Sequence, residues 1–135
     1  MIRRATVEDI DILMELDTHV EREEFESKLE LGRVLVYEVD DKIVGIIRYN
    51  MFWDQYPFLN YFKILEPYRH RGYGTEMINY WETEMMALGN YLVMTSGRAD
   101  QDAQHFFRAL GYQDSGNILF PGENLELILI KNLIR

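Results

Sequence analysis

The stretch Arg69-His70-Arg71-Gly72-Tyr73-Gly74-Thr75 separates two segments with different apolar patterns. The segment before it, Phe58–Leu65, is rich in aromatic residues and is typical of a buried strand. After it, apolar residues recur at the spacing of one helix face up to Gly89, a residue type that commonly ends helices. These residues are Met77, Ile78, Trp81, Met85 and Leu88. The sequence therefore predicts a strand, a glycine-containing loop and a helix, in that order.

The loop has the composition of an anion-binding site. The first backbone N–H groups of a helix lack acceptors, and glycine lets the backbone approach an anion closely. Arg69 and Arg71 supply positive charge beside Gly72 and Gly74, so the loop is suited to a diphosphate. Short Gly-x-Gly loops are also common structural turns, and these residues alone leave that alternative open. A P-loop and a Rossmann turn are excluded because their further Gly, Lys and acidic residues are missing.

Working outward from this loop, strands and helices alternate along the chain. The predicted strands are Ile2–Ala5, Val34–Val39, Ile43–Tyr49, Phe58–Leu65, Tyr91–Thr95, Tyr112–Phe120 and Leu125–Lys131. Four helices are predicted. The first follows a capping box at Thr6-Val7-Glu8-Asp9 and extends to Val20, and the second spans Glu21–Leu31. The third follows the glycine loop, and the fourth spans Asp100–Leu110. This order indicates an α/β fold (α+β in some schemes) in one domain, residues 1–135.

Composition narrows the classes of function. With 47% hydrophobic residues the chain can form a core, and no cysteine is available for disulfides, thiolate catalysis or metal ligation. A formal net charge of −9 disfavours nucleic acid and anionic membranes and favours cationic partners. No signal peptide or apolar run of membrane-spanning length is visible, so a cytoplasmic protein is expected. Arg69–Arg71 concentrates positive charge against this acidic background.

Two segments together resemble a known family. Arg69–Gly74 fits the Arg/Gln-x-x-Gly-x-Gly/Ala motif of the GNAT acyltransferase superfamily, in the expected place between strand and helix. Further along, Ala103–Tyr112 is similar to that family's second motif, Ala-x-x-Phe/Leu-Tyr-x-x-x-Gly-Phe. The resemblance implies a mixed, mostly antiparallel sheet of about seven strands flanked by about four helices, with splayed central strands.

The resemblance also implies a coenzyme A site. The amides from Arg71 to Thr75 would hold the pyrophosphate, the backbone N–H of Phe62 would polarise the thioester carbonyl, and the main chain of Ile64 would pair with the pantetheine arm. The coenzyme-binding set implied by the family is Ile64, Arg69, His70, Arg71, Gly72, Tyr73, Gly74, Thr75, Asp100 and Phe107. Acetyl-CoA would be the co-substrate. Its acetyl group would be transferred to a primary amine of a small molecule or peptide by direct attack of that amine.

The second motif departs from the family at the position that usually carries a tyrosine able to protonate the leaving thiolate. Here it is Phe107, which has no proton to donate. Glu66 and Ser96 are candidates for a proton relay, and Tyr112 is a further candidate acid that also suits the core. The missing tyrosine keeps open a non-catalytic alternative, an acyl-CoA-binding sensor or partner module.

The acceptor site is expected in less constrained segments. Trp53, Asp54 and Tyr56 combine aromatic surface with a carboxylate, which suits a cationic amine, although an ordinary hydrophobic turn fits them equally well. His19, His70 and His105 lack metal-ligand spacing, so no metal is predicted. The exposed edge of the last strands favours a homodimer. Neither nucleic acid nor membrane is an expected partner.

Overall fold

The computed structural model describes residues 1–134, which divide into two compact units. The first unit comprises Met1–Asn50 and Asn60–Trp81, and the second comprises Met51–Leu59 and the chain from Glu82 onward. Each unit is described by itself below.

The strands of the described chain form one mixed sheet. They are β1 (Ile2–Arg4), β2 (Val34–Val39), β3 (Lys42–Phe52), β4 (Tyr56–Ile64), β5 (Leu92–Arg98), β6 (Gln113–Ile118) and β7 (Glu126–Asn132). They are hydrogen-bonded in the order β1-β2-β3-β4-β5-β7-β6. The β4–β5 pair is parallel at Phe58 with Met94 and at Leu59 with Thr95, whereas the β1–β2, β2–β3, β5–β7 and β6–β7 pairs are antiparallel.

Four α-helices accompany the sheet in the described residues: α1 (Ile10–Leu16), α2 (Arg22–Glu30), α3 (Tyr73–Ala87) and α4 (Ala103–Ala109). Short 3-10 turns occupy Val7–Asp9 and Glu66–Tyr68. The carboxylate of Asp9 accepts the backbone N–H of Thr6 at 2.8 Å, which is one half of the predicted capping box. The mixed α/β architecture, with seven strands and four helices, confirms the fold class expected from the element order.

The core of the first unit lies between helices and the strands β2 and β3. Leu13 of α1 and Phe25 of α2 are completely buried against Val34, Val36 and Ile46. Met77, Ile78 and Trp81 of α3 are also completely buried, as the helical spacing predicted. A Cβ atom at Gly45 would lie 2.7 Å from Cδ1 of Ile64 and 2.9 Å from Sδ of Met77, so glycine permits close packing between β3, β4 and α3.

The core of the second unit includes a buried polar cluster. Tyr112 donates a hydrogen bond from its hydroxyl to Glu82 at 2.8 Å, and Lys131 contacts the other carboxylate oxygen at 2.8 Å. Lys131 also lies 5.7 Å from the centre of the Tyr112 ring. The buried carboxylate therefore has both a neutral donor and a cation, which offset the cost of removing it from water.

Several predicted boundaries and burials were wrong. The first helix ends at Leu16 rather than Val20, because Asp17 adopts an extended conformation and its side chain turns inward. α4 begins at Ala103 rather than Asp100, since Asp100 pairs with Arg98 outside the helix. Leu88 is exposed although its spacing placed it on the apolar face of the helix, because it lies beyond the end of α3. β6 is shorter than predicted and every residue in it is exposed.

Candidate functional site

The loop before α3 presents backbone N–H groups at a helix start. The 3-10 turn Glu66–Tyr68 leads into Arg69–Gly72, and α3 begins at Tyr73. The N–H of Glu76 makes a helical hydrogen bond to the carbonyl of Gly72 at 3.0 Å. The amides of Tyr73, Gly74 and Thr75 precede that bond and belong to the first turn, which a helix cannot satisfy internally. These amides, with the positive end of the helix dipole, are suited to an anion.

The conformation of the loop leaves space in front of these amides. His70 and Gly72 both adopt left-handed backbone conformations, with φ of +62° and +85°. A Cβ atom at Gly72 would meet no heavy atom within 4 Å. Glycine here serves the backbone turn and keeps that side of the loop free of a side chain.

Two cations lie over the ring of Tyr68. The guanidinium of Arg71 is 5.6 Å from the ring centre and the ammonium of Lys42, at the start of β3, is 5.7 Å from it. Within residues 1–134, no carboxylate forms an ion pair with either cation. Both positive charges therefore lie beside Tyr68, the residue that directly precedes the loop, and could attract an anion to it.

Arg69, the first residue of the motif, has a different role from Arg71. Its Nε donates a hydrogen bond to the carbonyl of Ile64 at 2.8 Å, which ties the loop to the end of β4. The backbone N–H of Leu65 also bonds to the carbonyl of Val44 at 2.8 Å. The loop is therefore anchored on the strands that precede it.

A buried tyrosine supports the first turn of α3. The rings of Tyr37 and Tyr73 lie 4.6 Å apart between their centres. Burial, followed by a hydrogen bond to Glu76, raises the pKa of Tyr37 to about 12. The phenol stays neutral at neutral pH and holds Glu76 on the side of α3 that faces β2.

β4 carries the two strand residues of the implied site. Phe62 is partly buried and Ile64 is buried, with its carbonyl already accepting Arg69. Nearer its start, in the second unit, β4 is joined to β5 by the hydroxyl of Thr95, which donates to the carbonyl of Leu59 at 3.1 Å. β4 thus pairs with β5 in its first half, at Phe58 and Leu59.

The remaining residues of the implied coenzyme set lie in the second unit. Asp100 is exposed and its carboxylate binds the guanidinium of Arg98 at 2.8 Å and 3.0 Å. Phe107 is buried, and its ring meets the ring of Tyr112 edge-on, with 5.2 Å between centres. Burial, then the nearby Glu82, raises the pKa of Tyr112, so its hydroxyl is a poor acid as well as a buried one.

The other proton-relay candidates are placed more simply. Glu66 is exposed at the start of the 3-10 turn before the loop. Ser96 lies inside β5, paired with Ile128 of β7, and is partly buried.

The residues predicted to line the acceptor site form a tight turn between β3 and β4. Trp53 and Asp54 both have left-handed backbones, with φ of +54° and +60°, and the N–H of Gln55 bonds to the carbonyl of Phe52 at 3.0 Å. This is a β-turn whose two central residues both have positive φ, a conformation in which glycine, asparagine and aspartate are the usual residues. Trp53 is 73% exposed and its ring packs on Phe52, 4.7 Å between centres. Tyr56 is the first residue of β4, whereas the sequence placed it in the connection before that strand.

Sequence inspection missed a polar chain in the first unit. Asp17 is completely buried after α1, and its Oδ2 accepts Nε of Arg48 in β3 at 2.7 Å. Its Oδ1 lies 3.3 Å from Nδ1 of His19. Arg48 stands alone as a charge within the apolar strand Ile43–Tyr49, and this was the available signal for a buried partner.

Comparison with known proteins decides the family. The family model described as Acetyltransferase (GNAT) family matches residues 5–112. The chain belongs to the GNAT acetyltransferase family. Acyl transfer is therefore the activity class of this GNAT chain. Curated protein sequences include none that matches it significantly.

Solved structures share the fold of this GNAT chain at low sequence identity. A GNAT acetyltransferase from Bacillus cereus is 22% identical, with a TM-score of 0.80 over 100% of this chain and 98% of that one. PaiA N-acetyltransferase from Thermoplasma acidophilum, crystallised with coenzyme A, is 14% identical, with a TM-score of 0.82 over 98% of both chains. Arabidopsis thaliana Naa50, bound to a bisubstrate analogue CoA-Ac-MVNAL, is 15% identical, with a TM-score of 0.81 over 98% of this chain and 97% of that one.

Two kinds of feature are missing from the described residues of the GNAT chain. Residues 1–134 contain no group of three or more histidine, aspartate or glutamate side chains placed to hold a metal ion. None of the helices in that range is long and apolar enough to cross a bilayer.

Proposed function

We propose that this chain transfers an acetyl group from acetyl-CoA to a primary amine of a small molecule or peptide. The observation that carries the proposal is the loop before α3, which combines helix-start amides with an open glycine and follows Tyr68, the ring that Arg71 and Lys42 contact. In a chain of net charge −9, this local positive site is suited to the phosphates of coenzyme A. The coenzyme A bound to the structurally similar PaiA enzyme supports the same choice.

The coenzyme would be held chiefly by the first unit. The proposed pyrophosphate ligands are the amides from Arg71 to Thr75, with His70 shaping the loop and Arg69 fixing it to β4 through Ile64. Arg71 and Lys42 both lie against the ring of Tyr68, and their positive charges would neutralise the phosphates. Asp100 and Phe107 stay proposed neighbours of the pantetheine arm.

The chemistry would follow from orientation and a fixed dipole. The backbone N–H of Phe62 is proposed to stabilise the negative charge that develops on the thioester oxygen during attack. Because the chain has no cysteine, a thiolate acyl-enzyme is excluded and the amine attacks the thioester directly. Glu66 and Ser96 remain candidates for moving protons through water.

The acceptor would be cationic when free in solution. The acidic surface favours such a partner, and Trp53, Asp54 and Tyr56 are proposed to contact it. The peptide portion of the analogue bound to Naa50 supports including peptide amines among the candidates. We further propose a cytoplasmic, single-domain enzyme that pairs through its exposed edge strand β6 as a homodimer.

Calorimetry and a thiol-release assay test the proposal. We expect saturable acetyl-CoA binding, weakened by Lys42→Gln and by replacing coenzyme A with its form lacking the 3′-phosphate. Release of free thiol is then measured with spermidine, L-lysine, tyramine and a pentapeptide with a free N-terminus. Absence of acetyl-CoA binding by the purified chain would refute the coenzyme assignment.

A sensor without catalytic activity is the second candidate. Phe107 stands where the family usually has tyrosine, and the hydroxyl of Tyr112, whose ring contacts Phe107, is committed to Glu82. Acetyl-CoA binding without thiol release across the amine panel would favour the sensor, and release with any amine would exclude it.

A further inference from the structure

A continuous polar chain runs through the first unit from β3 to the segment after α1. Arg48 donates to Oδ2 of Asp17 at 2.7 Å, and the other oxygen, Oδ1, accepts the backbone N–H of His19 at 3.2 Å and lies 3.3 Å from its Nδ1. The Asp17 side chain is completely buried, whereas the His19 side chain is 67% exposed. A buried carboxylate therefore holds an imidazole at the surface.

This arrangement sets the tautomer of the histidine. An ionised carboxylate only accepts hydrogen bonds, so Nδ1 of a neutral His19 carries its proton toward Asp17. The lone pair is left on Nε2, on the side of the ring away from the carboxylate. The ring is thus prepared to accept a proton from a group outside.

The imidazole is held near the middle of β4. Its ring centre lies 5.2 Å from that of Tyr61, the residue that precedes Phe62 in the strand. The hydroxyl of Tyr61 donates to the carbonyl of Leu16 at 2.9 Å, and burial followed by Asp17 raises its pKa. Tyr61 therefore acts as a neutral support. The titratable groups facing His19 are Asp17 from its own segment and Tyr61 from β4, with Arg48 of β3 behind Asp17.

We propose that His19 is the general base that deprotonates the amine acceptor and that Asp17 is its positioning residue. This inference rests on the proposed acetyl transfer and supplies the base that the motifs leave unassigned. The ammonium of the acceptor gives a proton to Nε2, and the freed amine nitrogen forms a bond to the thioester carbonyl carbon. The carbon–sulfur bond breaks, the electron pair leaves with sulfur, and the thiolate takes up the second proton lost by the nitrogen.

The test measures kcat/KM for one amine of the panel that the wild type acetylates, over about pH 5.5 to 9.5. The wild type is compared with three variants. His19→Gln should lower the value at neutral pH by about a hundredfold, and it should remove the fall in activity of the wild type toward acidic pH, because only a neutral imidazole can accept the proton. Its acetyl-CoA affinity by calorimetry should stay within about twofold of the wild type, because His19 is remote in sequence and contact from the phosphate loop. The matched control is His105→Gln, an exposed histidine on α4, which should keep the wild-type profile.

Asp17→Asn tests the positioning residue. The neutral amide no longer requires the proton on Nδ1, so the lone pair of His19 is less often on Nε2 and kcat/KM should fall by about tenfold while acetyl-CoA affinity is kept. NMR of the His19 ring nitrogens should show a smaller share of the Nδ1–H tautomer in this variant than in the wild type, whatever the variant's stability.

The outcomes separate the two proposals. A His19→Gln profile equal to the wild type, or a loss matched by an equal loss of acetyl-CoA affinity, overturns the role of His19. A wild type that binds acetyl-CoA but acetylates none of the amines also overturns it. A wild type that fails to bind acetyl-CoA at all instead refutes the coenzyme assignment.

Discussion

Gly72 and Gly89 show how one backbone conformation serves two purposes. They lie at opposite ends of α3, with φ of +85° and +91°, and a Cβ atom would meet nothing within 4 Å at either position. Gly89 ends the helix by a left-handed residue, which is a common helix terminus. Gly72 precedes unsatisfied amides, so its open side is where an anion would approach. A side chain would therefore strain the backbone at either glycine, but only at Gly72 would it also stand where the anion approaches.

We predict that Gly72→Ala and Gly89→Ala each lower the free energy of unfolding by about 1–2 kcal/mol, because alanine is strained at positive φ. Only Gly72→Ala should weaken acetyl-CoA binding, by about tenfold, since its methyl group occupies the open side of the loop. Urea unfolding and calorimetry measure the two effects. Equal acetyl-CoA affinities for the two variants would contradict the phosphate role of the loop.

The buried pair of Arg48 and Asp17 is a second effect at the residue scale. Arg48→Met should lower the free energy of unfolding by about 3 kcal/mol, because it leaves the Asp17 carboxylate buried without a cation. Arg22→Met is the matched control, since Arg22 pairs with exposed Asp11 and should lose less than about 0.5 kcal/mol. Adding Asp17→Asn to Arg48→Met should recover part of the loss. Similar losses for Arg48→Met and Arg22→Met in urea unfolding would be inconsistent with a buried, cation-dependent carboxylate.

At the scale of elements, two hairpins use the same unusual turn. Asp40 and Asp41 connect β2 to β3, and Trp53 and Asp54 connect β3 to β4, all with positive φ. Two-residue turns of this kind match the twist of the strands, and they favour Asn-Gly rather than Asp-Asp or Trp-Asp. A bulky tryptophan in a strained conformation is the kind of outlier that is often retained for function.

Replacement of the second turn residue by glycine should relieve this strain. Asp54→Gly and Asp41→Gly should each raise the free energy of unfolding by about 1 kcal/mol, because glycine adopts positive φ without a steric penalty. Asp54→Gly alone should raise KM for a cationic amine, since it also removes the proposed acceptor carboxylate. Asp41→Gly serves as the control for the turn itself. An unchanged KM in Asp54→Gly would remove Asp54 from the acceptor site.

For the whole molecule, buried phenols link folding to alkaline pH. Burial raises the pKa of Tyr37 to about 12 and also raises the pKa values of Tyr61 and Tyr112. In the unfolded chain these phenols titrate near their ordinary value of about 10. The folded state therefore binds more protons above that pH, and the stability contributed by the neutral phenols is present below it and lost as the pH rises toward 12.

We predict that urea unfolding midpoints fall steeply between about pH 10 and 12, with the negative net charge adding to the loss. Tyr37→Phe should reduce this slope because one proton-linked group is removed. Tyr91→Phe, at an exposed position, should leave the slope unchanged. Parallel pH profiles for the wild type and Tyr37→Phe would show that Tyr37 does not titrate with folding.

The order and type of the elements could be predicted because their signals are local. Apolar periodicity located α3 and the strands on either side of it, and the glycine loop was found because glycine and arginine are unusual in that setting. The two motifs, Arg69–Gly74 and Ala103–Tyr112, identified the family that the comparison confirmed. The roles assigned to the individual site residues remain proposals.

Boundaries, contacts and side-chain roles depended on tertiary structure. Nothing in the sequence around Asp17 indicates that its carboxylate is buried against Arg48, because the partner lies in a strand distant along the chain. The contact of Lys42 with the ring of Tyr68 likewise depends on a strand that folding brings next to the loop. Local sequence thus determined the elements and the anion loop, whereas only the folded chain decided which charges meet, since side chains far apart in sequence pair only after the backbone has packed.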